Sequence, residues 1–139
     1  MFTADQIVAH LVGDYILQSH WMATEKTKRS AAAAIHAVTY TLPFLLITQS
    51  VAAIVAICGT HFLIDRFRLA RFIVWAKNGP FSIVPYFHDG ALDGHEVRWK
   101  PVTATGYQDD VPPWLAVWLL IWADNTLHIV INGLAVAYL

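Results

Sequence analysis

Three segments of the sequence each carry one histidine and one aspartate at the same spacing. These pairs are His10 and Asp14, His61 and Asp65, and Asp124 and His128. An i, i+4 spacing places two side chains about 40° apart around an α-helix, so each pair projects from one face. Imidazole and carboxylate are ligands that zinc, manganese and iron accept. The repeated spacing therefore predicts a metal site between facing helices.

A further segment adds His36, with Tyr40 one helical turn further along the same face. A tetrahedral zinc ion takes about four ligands, so the set could serve one or two ions with a bridging carboxylate. The predicted cofactor is a divalent transition metal, with zinc as the first choice. The predicted ligands are His10, His36, His61, Asp65, Asp124 and His128.

Other polar residues are assigned to catalysis. Asp14, on the short first helix, is predicted to be the general base or a partner of a ligand. Tyr40, Asn125 and Gln18 could donate hydrogen bonds to a developing oxyanion. A weaker second site is conceivable in a segment whose sequence turn chemistry also explains. Its residues are His88, Asp89, Asp93, His95 and Glu96.

A single histidine in a helix is more often a hydrogen-bonded core residue than a ligand. The whole set favours a metal, because a carboxylate inside a bilayer is costly unless it is paired or coordinated. A metal-free network of histidines and aspartates and a proton-relay path remain open as alternatives.

The composition indicates an integral membrane protein. Hydrophobic residues make up 57% of the 139 residues and charged residues 14%, whereas soluble domains carry about a quarter charged residues. From Ser30 to Thr60 the sequence contains no Asp, Glu, Lys or Arg, and only His36 could carry a charge. The net charge of −1 provides no basic surplus for nucleic acid. No cleavable signal peptide is predicted, because the N-terminus lacks a basic segment.

The predicted fold is all-α, a bundle of four transmembrane helices in a single domain over residues 1–139. The helices are predicted at residues 4–22, 31–47, 51–76 and 113–138. Pro43 should kink the second helix, and Pro113 should begin the fourth. Residues 78–111 form a loop outside the membrane, either as a short β-hairpin or as a mobile loop.

The basic residues predict the orientation. All nine lysines and arginines fall between the first two predicted helices, or at the end of the third and in the loop after it. The positive-inside rule places these segments in the cytoplasm and both termini outside.

The sequence resembles an uncharacterised family of small bacterial and phage membrane proteins, classified as a domain of unknown function. Four motifs in the same order carry the resemblance and cover nearly the whole chain: HLVGDYILQSHWMATEKTKRS, IHAVTYTLP, GTHFLIDRFRLARFIVWAKN and TGYQDDVPPWLAVWLLIWADNTLHIVINGLA. The resemblance implies a four-helix membrane fold and a shared set of histidines and aspartates. It implies no settled activity.

The predicted function is a membrane-embedded, metal-dependent hydrolase that acts on a lipid or another membrane-delivered substrate. Two other classes remain open. The first is a transporter or channel for metal ions or protons, which would need an oligomer because the chain is short. The second is a non-enzymatic phage or bacterial membrane partner protein with a structural metal. Membrane lipids are the predicted partners, and a homo-oligomer is conceivable.

Overall fold

The computed structural model describes residues 3–89 and 91–139, without the side chains of Phe87, Ala91 and Asp93. Within this part of the chain it contains six α-helices and one two-stranded sheet. The chain forms two compact units. One is helical and consists of the residues up to Leu69 together with Trp122–Leu139. The other extends from Ala70 to Ile121.

The first segment of the helical unit is divided into three elements. Helix α1 (Ala4–Leu11) continues directly into a π-helix (Val12–Ile16), and α2 (His20–Glu25) follows. Helix α2 begins separately because Ser19 caps it, its Oγ accepting a hydrogen bond from the Met22 N–H at 3.3 Å. The single helix predicted at residues 4–22 is therefore interrupted.

Helix α3 (Ser30–Thr41) changes into a 3-10 helix (Leu42–Leu46) where Pro43 removes a backbone donor, which is the physical effect behind the predicted kink. Helix α4 (Val51–Phe67) ends at Arg68, whose φ of 53° is left-handed. The Leu69 N–H then donates to the Ile64 carbonyl at 3.0 Å, as in a Schellman motif.

The prediction of four transmembrane helices is wrong. Among the described residues, only α6 (Pro113–Tyr138) is long and apolar enough to cross a membrane. The apolar segment Ser30–Leu46 is shorter, and α4 has 17 residues, against the roughly 20 that a span needs. Hydropathy overestimated these lengths because it does not register a capping serine or a left-handed arginine. The predicted placement of both termini outside depended on four spans and loses its basis.

The interior of the helical unit combines polar and apolar side chains. Tyr40, Phe44 and Ile57 are fully buried, beside the small residues Ala9 and Ala135. Four histidines and two aspartates are also buried in this interior. The arrangement differs from an ordinary soluble core, in which buried ionisable groups are rare.

The second unit contains α5 (Ala70–Lys77) and an antiparallel hairpin of β1 (Phe81–His88) and β2 (Ala91–Trp99). The hairpin makes the all-α prediction wrong and is one of the two forms predicted for this segment. The Trp75 indole N–H donates to the Lys100 carbonyl at 2.9 Å. Gly106 has a φ of 80° and lies so close to the Arg71 carbonyl that a side chain would collide with it.

Candidate metal centre

Four buried side chains from three helical segments direct polar atoms towards one another inside the helical unit. They are Asp14 of the π-helix, His36 of α3, and His61 and Asp65 of α4. One ligand atom from each residue lies within 4.8 Å of those of the other three. The structure thus brings together four residues that the sequence assigned to the site.

The distances between these atoms match those between the ligands of one ion. His36 Nε2 lies 3.1 Å from Asp14 Oδ1 and 3.2 Å from Asp65 Oδ2. His61 Nε2 lies 3.5 Å from Asp14 Oδ1, 3.1 Å from Asp65 Oδ2 and 3.0 Å from His36 Nε2. Ligands bound at about 2.0–2.1 Å around a tetrahedral zinc ion are roughly 3.3–3.4 Å apart. These five separations are therefore close to those expected around a tetrahedral metal.

Local backbone features position this group, which we call the first centre. The i, i+4 spacing on α4 places His61 and Asp65 on one face. Asp14 lies in a π-helix, a rare element that often occurs at functional sites. Gly13 lets the π-helix approach α3 closely, because a Cβ there would lie 2.5 Å from Tyr40 Cδ2 and 2.9 Å from the Tyr40 carbonyl oxygen.

At Asp14, His61 and Asp65 the electrostatics of the first centre favour the protonation state that binds metal. Burial raises the pKa of Asp65, but hydrogen bonds from His36 and His61 and the charge of Lys26 outweigh burial and hold that pKa well below its usual range. Burial also raises the pKa of Asp14, whereas the hydrogen bond from His36 lowers it. The overall pKa of Asp14 is lower than usual. Burial lowers the pKa of His61 and favours the neutral ring. Burial also lowers the pKa of His36, but hydrogen bonds with both aspartates raise it overall.

A lysine that the sequence did not assign to the site contacts the first centre. Lys26 Nζ lies 2.9 Å from Asp65 Oδ2 and 3.3 Å from His36 Nε2, and its side chain is only 18% exposed. Arg66 holds the α2–α3 connection in place by donating to the Thr27 carbonyl at 2.8 Å. No local sequence pattern distinguishes Lys26 from the basic residues near it. Together they predicted only the orientation in the membrane.

A second group of candidate ligands shares Asp65. Its members are Asp65, Asp124 and His128, with ligand atoms all within 4.8 Å of one another. His128 Nε2 lies 3.8 Å from Asp65 Oδ1. The other ring nitrogen, Nδ1, lies 3.2 Å from the backbone carbonyl oxygen of Asp124. We call this group the second centre.

His10 is buried in the same interior but belongs to neither centre. Its Nδ1 lies 2.8 Å from Tyr40 Oη, and its Nε2 lies 3.0 Å from Asn125 Oδ1. Asn132, which the sequence did not single out, donates to Tyr40 Oη at 2.6 Å. The Tyr40 ring stacks on His61 with 3.6 Å between ring centroids. His10 and Tyr40 therefore pack behind a ligand, and the prediction that His10 binds metal stays a prediction.

The remaining predicted residues lie in different surroundings. The Asn125 side-chain amide donates to Tyr15 Oη at 2.9 Å. Gln18 Oε1 is buried and has no hydrogen-bond partner among the described residues. In the hairpin, His88 Nε2 lies 3.3 Å from Asp89 Oδ2, and both side chains are exposed. Asp93, a further member of the weaker predicted site, has a side chain outside the described part of the chain.

A family model described as "Protein of unknown function (DUF3307)" matches residues 2–93. The chain belongs to this family. The DUF3307 match includes all four residues of the first centre and ends before α6, which supplies Asp124 and His128. No curated protein and no solved structure matches the chain. Membership of DUF3307 carries no activity with it, so the function must be argued from the site.

Proposed function

We propose that this DUF3307 protein is a metal-dependent hydrolase that acts on a lipid or another membrane-delivered substrate. The observation that carries the proposal is the set of donor separations in the first centre, 3.0–3.5 Å. Two ionised carboxylates are buried there against one lysine ammonium. A divalent cation that displaces the ammonium would balance the two carboxylate charges.

The ligand types support catalysis over a purely structural metal. Structural zinc sites rely mainly on cysteine, whereas catalytic sites combine histidine with carboxylate. Cys58 is the only cysteine of the chain and belongs to neither centre. A bound metal would lower the pKa of a water molecule and polarise a carbonyl or phosphoryl group. With His36, His61 and Asp65 as ligands, the fourth position of a tetrahedral metal would remain open for that water, and Asp14 would accept its proton.

The outer surface of the helical unit supports a membrane-delivered substrate. Large apolar side chains are exposed there, and Leu46 is 92% exposed and Val51 75%. Apolar surface of this extent on a protein typically contacts a membrane or a partner. Helix α6 is long and apolar enough to cross a bilayer. We therefore place the protein at a bacterial inner membrane, held there by α6 and this surface.

The first test is metal content. Detergent-purified protein should carry zinc or a related metal, and His36→Gln and His61→Gln should each lose most of it. His88→Gln, which alters an exposed histidine of the hairpin, is the matched control and should retain the metal. Folded wild-type protein that holds no metal after purification without chelators would refute the proposal.

The second test is turnover. The purified protein is incubated with phospholipid, lysolipid and prenyl-phosphate substrates in micelles. Chelation should abolish hydrolysis, and added zinc should restore it. If none of these substrates is hydrolysed while vesicles containing the protein pass divalent ions or protons, the site serves transport and the hydrolase proposal is wrong.

A further inference from the structure

We propose that Asp65 bridges two divalent cations, with the second cation held by Asp124 and His128 of α6. This inference rests on the proposed metal site and extends it to a two-metal centre. Such centres are typical of enzymes that hydrolyse phosphate esters, because two cations can stabilise both the attacking and the leaving oxygen. The substrate class would then be a phosphate ester with an apolar portion.

The two carboxylate oxygens of Asp65 face different partners. Oδ2 lies 3.2 Å from His36 Nε2 and 3.1 Å from His61 Nε2, within the first centre. Oδ1 lies on the side of His128, 3.8 Å from its Nε2. A carboxylate whose oxygens point into two separate ligand groups has the arrangement of a bridge.

His128 is oriented as a metal ligand rather than as a packed core histidine. Its ring is 2% exposed, and Nδ1 can donate to the Asp124 carbonyl oxygen at 3.2 Å. Metal-bound histidines commonly donate their second nitrogen to a carbonyl or carboxylate in this way. The free lone pair then lies on Nε2, which is buried and has no hydrogen-bond partner in the described part of the chain. A buried acceptor without a partner is costly, and a cation would satisfy it.

The second centre brings a third carboxylate into this interior. Asp124 joins Asp14 and Asp65 there, and Lys26 contacts Asp65. Asp124 is placed to hold a cation because it lies one helical turn before His128.

The test loads metal-free protein with Mn²⁺ and measures both the amount bound and the electron paramagnetic resonance spectrum. Wild type should bind about two ions per chain, and their signal should show the exchange coupling of a carboxylate-bridged pair. His128→Gln and, separately, Asp124→Asn should bind about one ion with the spectrum of isolated Mn²⁺. Asp65→Asn should weaken both sites, whereas His88→Gln should behave as wild type.

The outcomes separate this inference from the proposed function. Binding of a single ion by wild type, unchanged in His128→Gln, would overturn the second centre and leave the first intact. Two ions without exchange coupling would overturn the bridge. Loss of both ions from a folded His128→Gln protein would show that the two centres are not separate sites. Absence of any bound ion in folded wild type would refute the proposed function itself.

Discussion

Replacement of Lys26 by methionine should make the protein bind metal more tightly. The Lys26 ammonium contacts two of the four donors of the first centre, Asp65 Oδ2 at 2.9 Å and His36 Nε2 at 3.3 Å. An imidazole nitrogen has one lone pair and cannot serve an ammonium and a metal at the same time. Metal binding must therefore break the lysine contacts. Methionine retains an apolar stem for packing but has no charge to compete.

The size of the effect follows from the contacts that are lost. A hydrogen bond involving a charged group contributes about 1.5–3 kcal/mol, and the low exposure of Lys26 keeps it in this range. In Lys26→Met, metal binding no longer has to break these contacts, so the free energy of metal binding becomes more favourable by this amount. At about 1.4 kcal/mol per tenfold change, zinc affinity should rise roughly 10- to 100-fold. The metal-free variant should lose a similar free energy of unfolding.

The assay is a competition titration of metal-free, detergent-purified protein against a zinc-binding dye, with thermal unfolding measured in parallel. Lys28→Met is the matched control, because the Lys28 side chain is 65% exposed and forms an exposed ion pair with Glu25 at 3.2 Å. It should change neither quantity measurably. If Lys26→Met binds zinc as weakly as wild type or more weakly, then Lys26 assists the metal, and the reasoning above is wrong.

Three further predictions concern the same helical unit. Gly13→Ala should lower the free energy of unfolding by about 1–3 kcal/mol in urea titrations, because the new methyl group would collide with the Tyr40 side chain and carbonyl. The control Gly59→Ala has open space around the new methyl group and should not lower it. Equal urea midpoints for the two variants would contradict the packing at Gly13. Asp14→Asn should retain metal and lose about 10²–10⁴-fold of turnover if Asp14 is the general base; loss of metal would identify it as a ligand. Metal-free protein should lose stability as the pH falls below about 4, because the pKa values of Asp14 and Asp65 are lower in the folded state than in the unfolded state. A urea midpoint that is constant from pH 5 to pH 3 would contradict this prediction.

Local periodicity was sufficient to predict the parts of the site that lie on one helix. His61 and Asp65 share a face of α4 because four residues make slightly more than one helical turn. The bounds of α6 were predicted for a similar reason, since a proline at the first helical position lacks only a donor that would be unpaired there. The motifs also predicted membership of an uncharacterised domain-of-unknown-function family, which is confirmed. Membrane character and the role of each motif residue stay predictions.

Only the tertiary structure decided which polar residues meet and where the long helices end. A histidine on an inward face can bind a metal or a neighbour, and the two ring nitrogens of His10 lie within hydrogen-bond distance of Tyr40 Oη and Asn125 Oδ1. Lys26 reaches Asp65 through a long flexible side chain, so its position in the sequence says nothing about its partner. Helix α4 stops at Arg68, in a left-handed conformation that is usual for glycine and that no local signal predicts for arginine. Contacts between distant segments depend on the packing of whole helices, whereas periodicity describes each helix alone.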